Sequence, residues 1–340
     1  MIRPVDRISI QAAMRAAFPH AEERVARFYG MQEYHLGWRN EQLAPAESDP
    51  GKLIRPHVVL LGCEAAGGDP ATALPLAAGI QLIHDFSLIH DDIQDVSDAR
   101  RGRPTVWKLW GVAQGINTGD GMFVIAHLSI QRLSEFGFPA EVILEILRRF
   151  DQTILTICEG QYLDLSYEGD LAIDEAAYIA MISRKTAALL AASCSLGAIL
   201  GSLGKDASLP DALASFGQNL GLAFQVQDDV LGIWGDPAVT GKPFAADLLR
   251  RKLSLPVIHA LRHATDRAEL AERYAQPSSG SADTKRILDI LEQAGSRAYT
   301  EQVAHEYHRQ SLAALAAAQG QSKPLNELRM IAESLVGRAY

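Results

Sequence analysis

The sequence predicts an all-α fold, a bundle of ten or more helices around a central apolar cavity. Apolar residues recur at spacings of three and four along most of the 340-residue chain, as expected of helices that bury one face. The same segments are rich in alanine and leucine, which favour helix, and show almost none of the alternation typical of β-strands. Hydrophobic residues make up 48% of the chain, which is enough for a large buried core.

The predicted helices follow one another with short connections. They cover residues 7–29, 52–66, 70–97, 105–113, 117–134, 139–167, 174–201, 208–234, 246–263, 284–294, 297–318 and 323–338. The connections at 43–51, 235–243 and 276–284 are polar and contain glycine or proline, which favour turns. No segment resembles an interdomain linker and no internal repeat is found, so residues 1–340 are predicted to form a single domain.

Charge and cysteine usage exclude several classes of protein. The net charge of −9 argues against a nucleic-acid partner, which would require clustered basic side chains. Cys63, Cys158 and Cys194 lie far apart in apolar runs, which predicts buried free thiols in a reducing compartment. The first residues lack the apolar core and cleavage site of an export signal, and no stretch of about 18 apolar residues is free of charge. We therefore predict a cytoplasmic protein without a membrane span.

One aspartate-rich segment, LIHDDIQDVSDARRGRP, contains Asp91, Asp92 and Asp95. On a helix, Asp91 and Asp95 stack one turn apart, and His84 lies seven residues earlier on the same face. Carboxylates in such an apolar stretch are costly to bury unless a positive charge meets them. Because Mg2+ is held by one or two carboxylates together with substrate phosphates, the segment predicts a Mg2+ site that carries a diphosphate.

A second segment, FQVQDDVLGIWGD, contains Asp228 and Asp229. Gln225, Asp228, Asp229 and Gly232 share a helix face, and position 232 contributes no ligand. A single acidic run on a helix is at least as often a solvated surface as a metal site. Two runs inside apolar helices favour the mouth of an apolar cavity instead.

Basic residues accompany both acidic segments. The segment GKLIRP opens a helix with Lys52 and Arg55 three residues apart, where N–H donors and the helix dipole favour an anion. Arg100 and Arg101 follow the first acidic segment, and further candidate cations are Lys185, Lys242 and Lys252. Each of these alone is more often a solvent-facing charge. Their joint occurrence predicts a ligand that is polyanionic at one end.

These motifs resemble those of the trans-isoprenyl diphosphate synthases, the polyprenyl synthetase family of head-to-tail prenyltransferases. The matching segments, in the family's order between about residues 50 and 256, are GKLIRP, QLIHDFSLIHDDIQD, DARRGRPT, EGQYLDL, SRKTAALL, FQVQDD, GDPAVTGKP and DLLRRKLSLP. The resemblance implies an all-helical homodimer that uses three Mg2+ ions. It also implies that isopentenyl diphosphate is condensed with an allylic diphosphate (dimethylallyl, geranyl or farnesyl) by ionisation, condensation and elimination.

The resemblance also implies a role for each matching residue. The metal ligands would be Asp91, Asp92, Asp95, Asp228 and Asp229. The allylic diphosphate or its metals would be contacted by Arg100, Lys185, Gln225, Lys242 and Lys252. Isopentenyl diphosphate would be bound by Lys52, Arg55, His84 and Arg101.

Three further polar residues have two interpretations each. Thr186 and Gln225 either direct oxygens at the allylic cation or are ordinary polar residues in helix packing. Asp164 either orients a lysine or caps local structure. Since the motifs contain no strong side-chain base, we expect the released diphosphate to take the proton.

Gly232 departs from the family pattern, in which the second motif often reads DDxxD. Two carboxylates still suffice for Mg2+ if waters fill the other positions. For product length, the resemblance places the floor of the pocket at Phe86 and Ser87. One aromatic and one small residue there indicate the C20 product geranylgeranyl diphosphate, with C15 farnesyl diphosphate or a longer chain as alternatives. Helix geometry instead places Ser87 nearer than Phe86 to the face of Asp91.

Two other classes of protein compete with this interpretation. A class I terpene cyclase shares an acidic motif and an all-α core, but does not need GKLIRP or the Arg100 and Arg101 pair, and its second metal motif is not found. A non-catalytic subunit of a heteromeric prenyltransferase would keep the fold without the chemistry. The nearly complete set of acids and bases favours an active enzyme.

Overall fold

The computed structural model describes residues 2–237, 244–277 and 280–336. The helices in these residues are α1 (Pro4–Ala17), α2 (Ala26–His35), α3 (Ile54–Ala65), α4 (Leu74–Gln94), α5 (Val106–Trp110), α6 (Val112–Gln131), α7 (Ala140–Ser166), α8 (Glu175–Ile182), α9 (Ala188–Ser202), α10 (Ser208–Trp234), α11 (Ala246–Leu249), α12 (Leu255–His263), α13 (Arg267–Tyr274), α14 (Ser281–Gln293), α15 (Ser296–Ala317) and α16 (Ser322–Val336). The strands β1 (Ala99–Arg100) and β2 (Arg103–Pro104) pair in one small antiparallel hairpin. The predicted all-α class is therefore confirmed.

Several predicted helix boundaries were wrong, for reasons local to the backbone. The helix expected at 7–29 ends at Ala17, because Phe18 precedes a proline and is extended, with ψ 132°, as a residue in that position prefers. The helix expected at 246–263 is divided into α11 and α12, since Arg251 adopts a left-handed conformation with φ 56°. The helix α13 was not predicted.

The chain divides into two compact units. Unit 1 comprises the described residues of 1–151, 193–210 and 320–325, and unit 2 comprises those of 152–192, 211–319 and 326–340. The boundaries at residues 151 and 192 lie within α7 and α9, in continuous helix and not in a linker. The single-domain organisation over residues 1–340 stays a prediction.

The core of unit 1 is built on α4, which packs against α1, α3 and α6. A side chain at Gly79 of α4 would place its Cβ 2.9 Å from the carbonyl oxygen of Ala126 on α6, so glycine permits this close helix approach. The buried stretch of α4 ends in the turns that contain His84 and the first acidic motif. The packing of α4 against α1, α3 and α6 therefore fixes the position of the turns that carry these polar residues.

The core of unit 2 surrounds α8, α10 and α12. A Cβ at Gly221 of α10 would lie 2.6 Å from the Cα of Ala187, just before α9. This close approach sets the position of the C-terminal part of α10. That part of the helix carries Gln225 and the second acidic motif.

Two helical stretches, Pro70–Gln94 and Glu175–Ser202, are long and apolar enough to cross a membrane. Their most apolar windows are 67% and 61% buried within the structure, as is usual for core helices of a globular protein. Core packing thus accounts for their composition.

All three cysteines are free, as predicted. Cys63 and Cys194 are buried, and burial raises the pKa of each thiol to about 12. The prediction of burial was wrong for Cys158, which is exposed on α7. Its apolar neighbours in sequence lie on other faces of that helix.

Candidate active site

The first acidic motif is folded against the β1–β2 hairpin in unit 1. Left-handed residues at the hairpin turn, Arg101 and Gly102, return the chain so that Arg100 faces α4. The Nε atom of Arg100 lies 2.9 and 3.0 Å from the two carboxylate oxygens of Asp92, and its Nη2 lies 3.6 Å from Oδ2 of Asp91. Asp92 is 2% exposed, and burial raises its pKa despite the contact with Arg100. Asp91 and Arg100 are partly exposed and can meet a ligand.

Asp95 lies just past the end of α4. Its N–H donates to the carbonyl oxygen of Asp91 at 2.8 Å, so the helical turn that stacks the two acids is kept. The helix stops there because Val96 has a left-handed φ of 51°. The predicted helix 70–97 is thus shorter, and the side chain of Asp95 is exposed.

A second polar cluster surrounds Asp85, which lies on α4 just under two helical turns before Asp91. Asp85 is 1% exposed, and its Oδ1 lies 3.6 Å from Nη2 of Arg101 and 3.5 Å from Nε2 of His35. Nη1 of Arg55 lies 3.5 Å from Nε2 of His84. Three of the four residues expected to bind isopentenyl diphosphate therefore lie in this cluster: Arg101 pairs with the buried carboxylate of Asp85, and Arg55 contacts the adjacent His84.

The charges in this cluster follow from burial. Burial opposes the ionisation of Asp85, but His35, His84 and Arg101 outweigh it and lower the pKa of Asp85 to about 2. Burial, followed by the charge of Arg55, holds the pKa of His84 well below its usual value. Burial also lowers the pKa of Arg55, to about 10. At neutral pH the cluster thus contains a neutral His84 and two charged arginines beside one carboxylate.

Lys52, the fourth expected residue, is exposed just before α3. The neighbouring Gly51 has φ 83°, and a Cβ there would lie 3.0 Å from Nη2 of Arg101. The backbone beside Lys52 therefore reaches the cluster only because residue 51 has no side chain.

A small cleft adjoins both clusters of α4. Its lining includes Tyr34, His35, Asp92 and three arginines at positions 100, 101 and 103. The Arg103 guanidinium is already used within the protein, because it donates to the carbonyl oxygens of Tyr34 and Arg39 at 2.9 and 2.7 Å. The remaining cations make the cleft suitable for an anion.

In the second acidic motif, in unit 2, Asp229 is buried and hydrogen-bonded to other protein groups. Asp229 is 0% exposed, and its Oδ2 accepts hydrogen bonds from the Tyr178 hydroxyl and, at 3.3 Å, from the N–H of Leu255. Its Oδ1 accepts from Nε2 of Gln225 at 3.2 Å and lies 4.0 Å from Nζ of Lys252. Burial raises the pKa of Asp229 to about 6. Asp228, by contrast, is partly exposed.

Lys185 and Thr186 lie in a π-helical turn, Ser183–Ala187, between α8 and α9. Such turns re-aim side chains and often occur at functional sites. Nζ of Lys185 lies 2.5 Å from Oδ2 of Asp164, and the hydroxyl of Thr186 donates to Oε1 of Gln225 at 3.1 Å. Of the two interpretations of Asp164, the structure shows the one in which it pairs with a lysine.

The product-length residues lie one turn before the first acidic motif. The ring of Phe86 packs edge-on against His90 and Phe123, with centroids 4.8 and 5.3 Å apart. The hydroxyl of Ser87 donates to the carbonyl oxygen of His84 at 2.7 Å. Phe86 is thus backed by a second aromatic ring, whereas Ser87 leaves space. Lys242 lies outside the described residues.

Sequence reasoning missed three residues of these clusters, His35, Asp85 and Tyr178. Asp85 had a visible signal, since it is a bare acid in an apolar helix, one residue after His84. His35 and Tyr178 had none, because their partners are 50 and 51 residues away in the chain.

The acids fit Mg2+ only together with a diphosphate. Within the described residues, no three His, Cys, Asp or Glu side chains converge to hold a metal ion by themselves. The available donors are hard carboxylate oxygens, and Mg2+ is commonly held by one or two of these plus phosphate oxygens and water. The donor set therefore suits Mg2+ bound to a phosphorylated substrate.

Comparison with known proteins gives a consistent result. The polyprenyl synthetase profile matches residues 38–291. The chain is 40% identical over 287 residues to a geranylgeranyl diphosphate synthase of Mycobacterium tuberculosis, covering 84% of this chain and 80% of that protein. It is 37% identical over 312 residues to a (2E,6E)-farnesyl diphosphate synthase of Mycobacterium bovis, covering 90% and 84%. The crystal structure of a polyprenyl synthetase from Streptomyces coelicolor A3(2) superposes with a TM-score of 0.89 at 34% identity, over 98% of each chain.

Proposed function

The chain belongs to the polyprenyl synthetase family, and from this premise we propose that it condenses isopentenyl diphosphate with an allylic diphosphate. It is a trans-prenyltransferase of the isoprenyl diphosphate synthase type. One observation carries the choice of substrates. The carboxylates of Asp91 and Asp92 lie at the C-terminal end of α4. About two turns earlier on the same helix, the guanidinium groups of Arg55 and Arg101 approach neutral His84 and form a cationic cluster. Two clusters of opposite charge suit two diphosphates, one bound through metal ions and one bound directly.

The acids divide into two kinds in this proposal. Asp91, Asp95 and Asp228 have accessible side chains that can offer oxygens to Mg2+. Asp92 belongs to the first acidic motif and Asp229 to the second, and each also holds a basic side chain in position. Asp92 pairs with Arg100, and Asp229 lies near Lys252. When bound, Mg2+ would neutralise the allylic diphosphate and make it a better leaving group. We propose the same charge-neutralising role for Lys185, which Asp164 orients, and for Lys242.

The reaction requires the protein mainly to position its substrates. The C–O bond of the allylic diphosphate breaks with its electron pair moving to oxygen, and the double bond of isopentenyl diphosphate then attacks the cation. Lys52, Arg55 and Arg101 would hold isopentenyl diphosphate, with neutral His84 as a hydrogen-bond partner. Thr186 and Gln225 are joined by a hydrogen bond, and their oxygens are suited to face the cation. The released diphosphate would take the proton that is lost.

We propose geranylgeranyl diphosphate, C20, as the product. The two relatives named above make C20 and C15 products and are nearly equal in identity to this chain, at 40% and 37%. Overall similarity therefore does not decide the length, and the floor residues must. Phe86, backed by Phe123, closes the pocket with one aromatic layer in this proposal.

Replacing Phe86 with alanine is expected to lengthen the product by at least one isoprene unit, because the floor of the pocket would open. Chromatography of the products after removal of the diphosphate would show the shift. The matched control is Phe136→Ala, which removes an exposed phenylalanine of unit 1 and should leave the product profile unchanged. An unchanged profile in Phe86→Ala would exclude this residue as the floor.

The assay that tests the function uses the purified chain with Mg2+, isopentenyl diphosphate and each allylic starter in turn. Linear prenyl diphosphates support the proposal. A cyclic hydrocarbon or alcohol formed from the allylic diphosphate alone would indicate a terpene cyclase. Absence of any product would indicate a non-catalytic subunit of a heteromeric prenyltransferase.

We also propose the homodimer and the cytoplasmic location that the resemblance and the sequence suggest. The exposed side chains of Val112, Ile116, Val124 and Leu128 follow a winding stripe along α6 at spacings of four, eight and four, interrupted by the exposed Asp120. Such a stripe is suited to an interface between two copies. Sedimentation of the wild type should give a dimer, and Val124→Glu should shift it towards monomer.

A further inference from the structure

The space above Gly232 is filled by a carboxylate from elsewhere in unit 2. A Cβ at position 232 would lie 2.2 Å from Oδ2 and 2.6 Å from Cγ of Asp247. No real Cβ approaches another atom so closely, so Asp247 occupies the place where a side chain at 232 would begin. The absence of a side chain at Gly232 is thus what admits Asp247 to this face of α10.

Position 232 lies one helical turn after Asp228, on the same face. Side chains at such positions have Cβ atoms about 5–6 Å apart. The carboxylate of Asp247 therefore lies about one turn from Asp228, where the third acid of a DDxxD motif would stand. Asp228 and Asp247 are far apart in the sequence, so residue spacing alone does not indicate that their carboxylates are neighbours.

Asp247 is held in place by the short helix α11. Ala245, just before this helix, and Arg251, two residues after it, are left-handed, with φ 54° and 56°, a conformation that costs a non-glycine residue about 1 kcal/mol. Ala245 and Leu248 are buried in the core of unit 2, which explains how the conformation is maintained. The chain thus fixes a turn whose partly exposed acid faces α10.

Asp229 does not compete for the same role. Both of its oxygens accept hydrogen bonds from protein groups, and the side chain is completely buried. Asp228 and Asp247 are both partly exposed.

We propose that Asp247 is a metal-binding carboxylate of the second acidic motif and, with Asp228, does what an acid at position 232 would do. This inference rests on the proposed Mg2+-dependent function. Asp228 and Asp247 would each offer a carboxylate oxygen to Mg2+, which is commonly held by one or two carboxylates together with phosphate oxygens. The second motif of this chain then offers two accessible acids, Asp228 and Asp247. Asp247 can take this position only because residue 232 is a glycine.

Equilibrium binding of Mn2+, counted by electron paramagnetic resonance in the presence of inorganic diphosphate, tests the inference without relying on turnover. Asp247→Asn is expected to weaken Mn2+ binding by about tenfold or more. The double variant Gly232→Asp/Asp247→Gly moves the carboxylate onto α10 and should restore binding to within about threefold of wild type. Asp211→Asn, which neutralises an exposed acid at the start of α10, is the control and should bind normally.

The outcomes separate this inference from the proposed function. If Asp228→Asn weakens Mn2+ binding and Asp247→Asn does not, the role of Asp247 is excluded while the function stands. If neither variant changes Mn2+ binding, the metal-dependent function itself fails. Should Asp247→Asn not fold, the double variant decides alone, because it retains the number of carboxylates: binding near the wild-type level supports the inference, and loss of binding excludes it.

Discussion

Asp91→Ala and Asp228→Ala are each expected to lower kcat/KM for prenyl transfer by about 10^3-fold or more. Each variant removes an accessible carboxylate from a proposed Mg2+ site, and charge stabilisation at the leaving group is the main contribution of such a site. Product formation from isopentenyl diphosphate and an allylic starter, measured over a range of Mg2+ concentrations, would show the loss. A higher Mg2+ requirement should accompany it if some metal binding remains.

The loss should not come from unfolding. Asp91 and Asp228 are both partly exposed, so removing either leaves no large buried cavity. Circular dichroism and thermal melting should therefore remain close to wild type. Asp211→Ala and Glu141→Ala remove exposed acids from unit 2 and unit 1 and should keep normal activity. Normal rates in both Asp91→Ala and Asp228→Ala would refute the assignment of the chemistry to these acids.

Asp85→Asn is expected to have the largest effect on folding, lowering the free energy of unfolding by about 3 kcal/mol at neutral pH. The variant keeps the shape of the side chain but leaves Arg55 and Arg101 without their buried counter-charge. Chemical denaturation of both proteins measures the difference. We also expect a higher KM for isopentenyl diphosphate, because the cations proposed to bind it would no longer be held in position.

The same carboxylate makes a pH-dependent prediction. The folded-state pKa of Asp85 is about 2, below its ordinary value of 3.8, so the folded protein binds fewer protons than the unfolded chain between these values. The stabilisation is therefore complete above about pH 5 and is lost as the pH falls through 2. A shift of nearly two units corresponds to about 2.5 kcal/mol.

The advantage of wild type over Asp85→Asn should accordingly shrink by most of that amount, about 2 kcal/mol, between pH 5 and pH 2. Glu141→Gln, at an exposed position, is the control and should follow wild type throughout. A constant difference between wild type and Asp85→Asn over this range would show that Asp85 is not ionised as described.

Much of the fold could be read from the sequence because helix formation depends on local patterns. The helices that carry the motifs, α3, α4, α7 and α10, were predicted within a few residues. Errors arose where one residue overrides a periodic pattern, as Pro19 does after α1. Arg251 gave no such warning, since its left-handed conformation depends on the surrounding core.

The sequence by itself determined the all-α class, the two acidic motifs and the cations that accompany them, because residue type and helical spacing are local properties. Only the tertiary structure decided how each acid is used. It buries Asp229 beneath Tyr178 and Leu255, surrounds Asp85 with His35 and Arg101, and brings the carboxylate of Asp247 onto Gly232. Burial and charge pairing depend on groups far apart in the chain, so spacing along the sequence does not contain them.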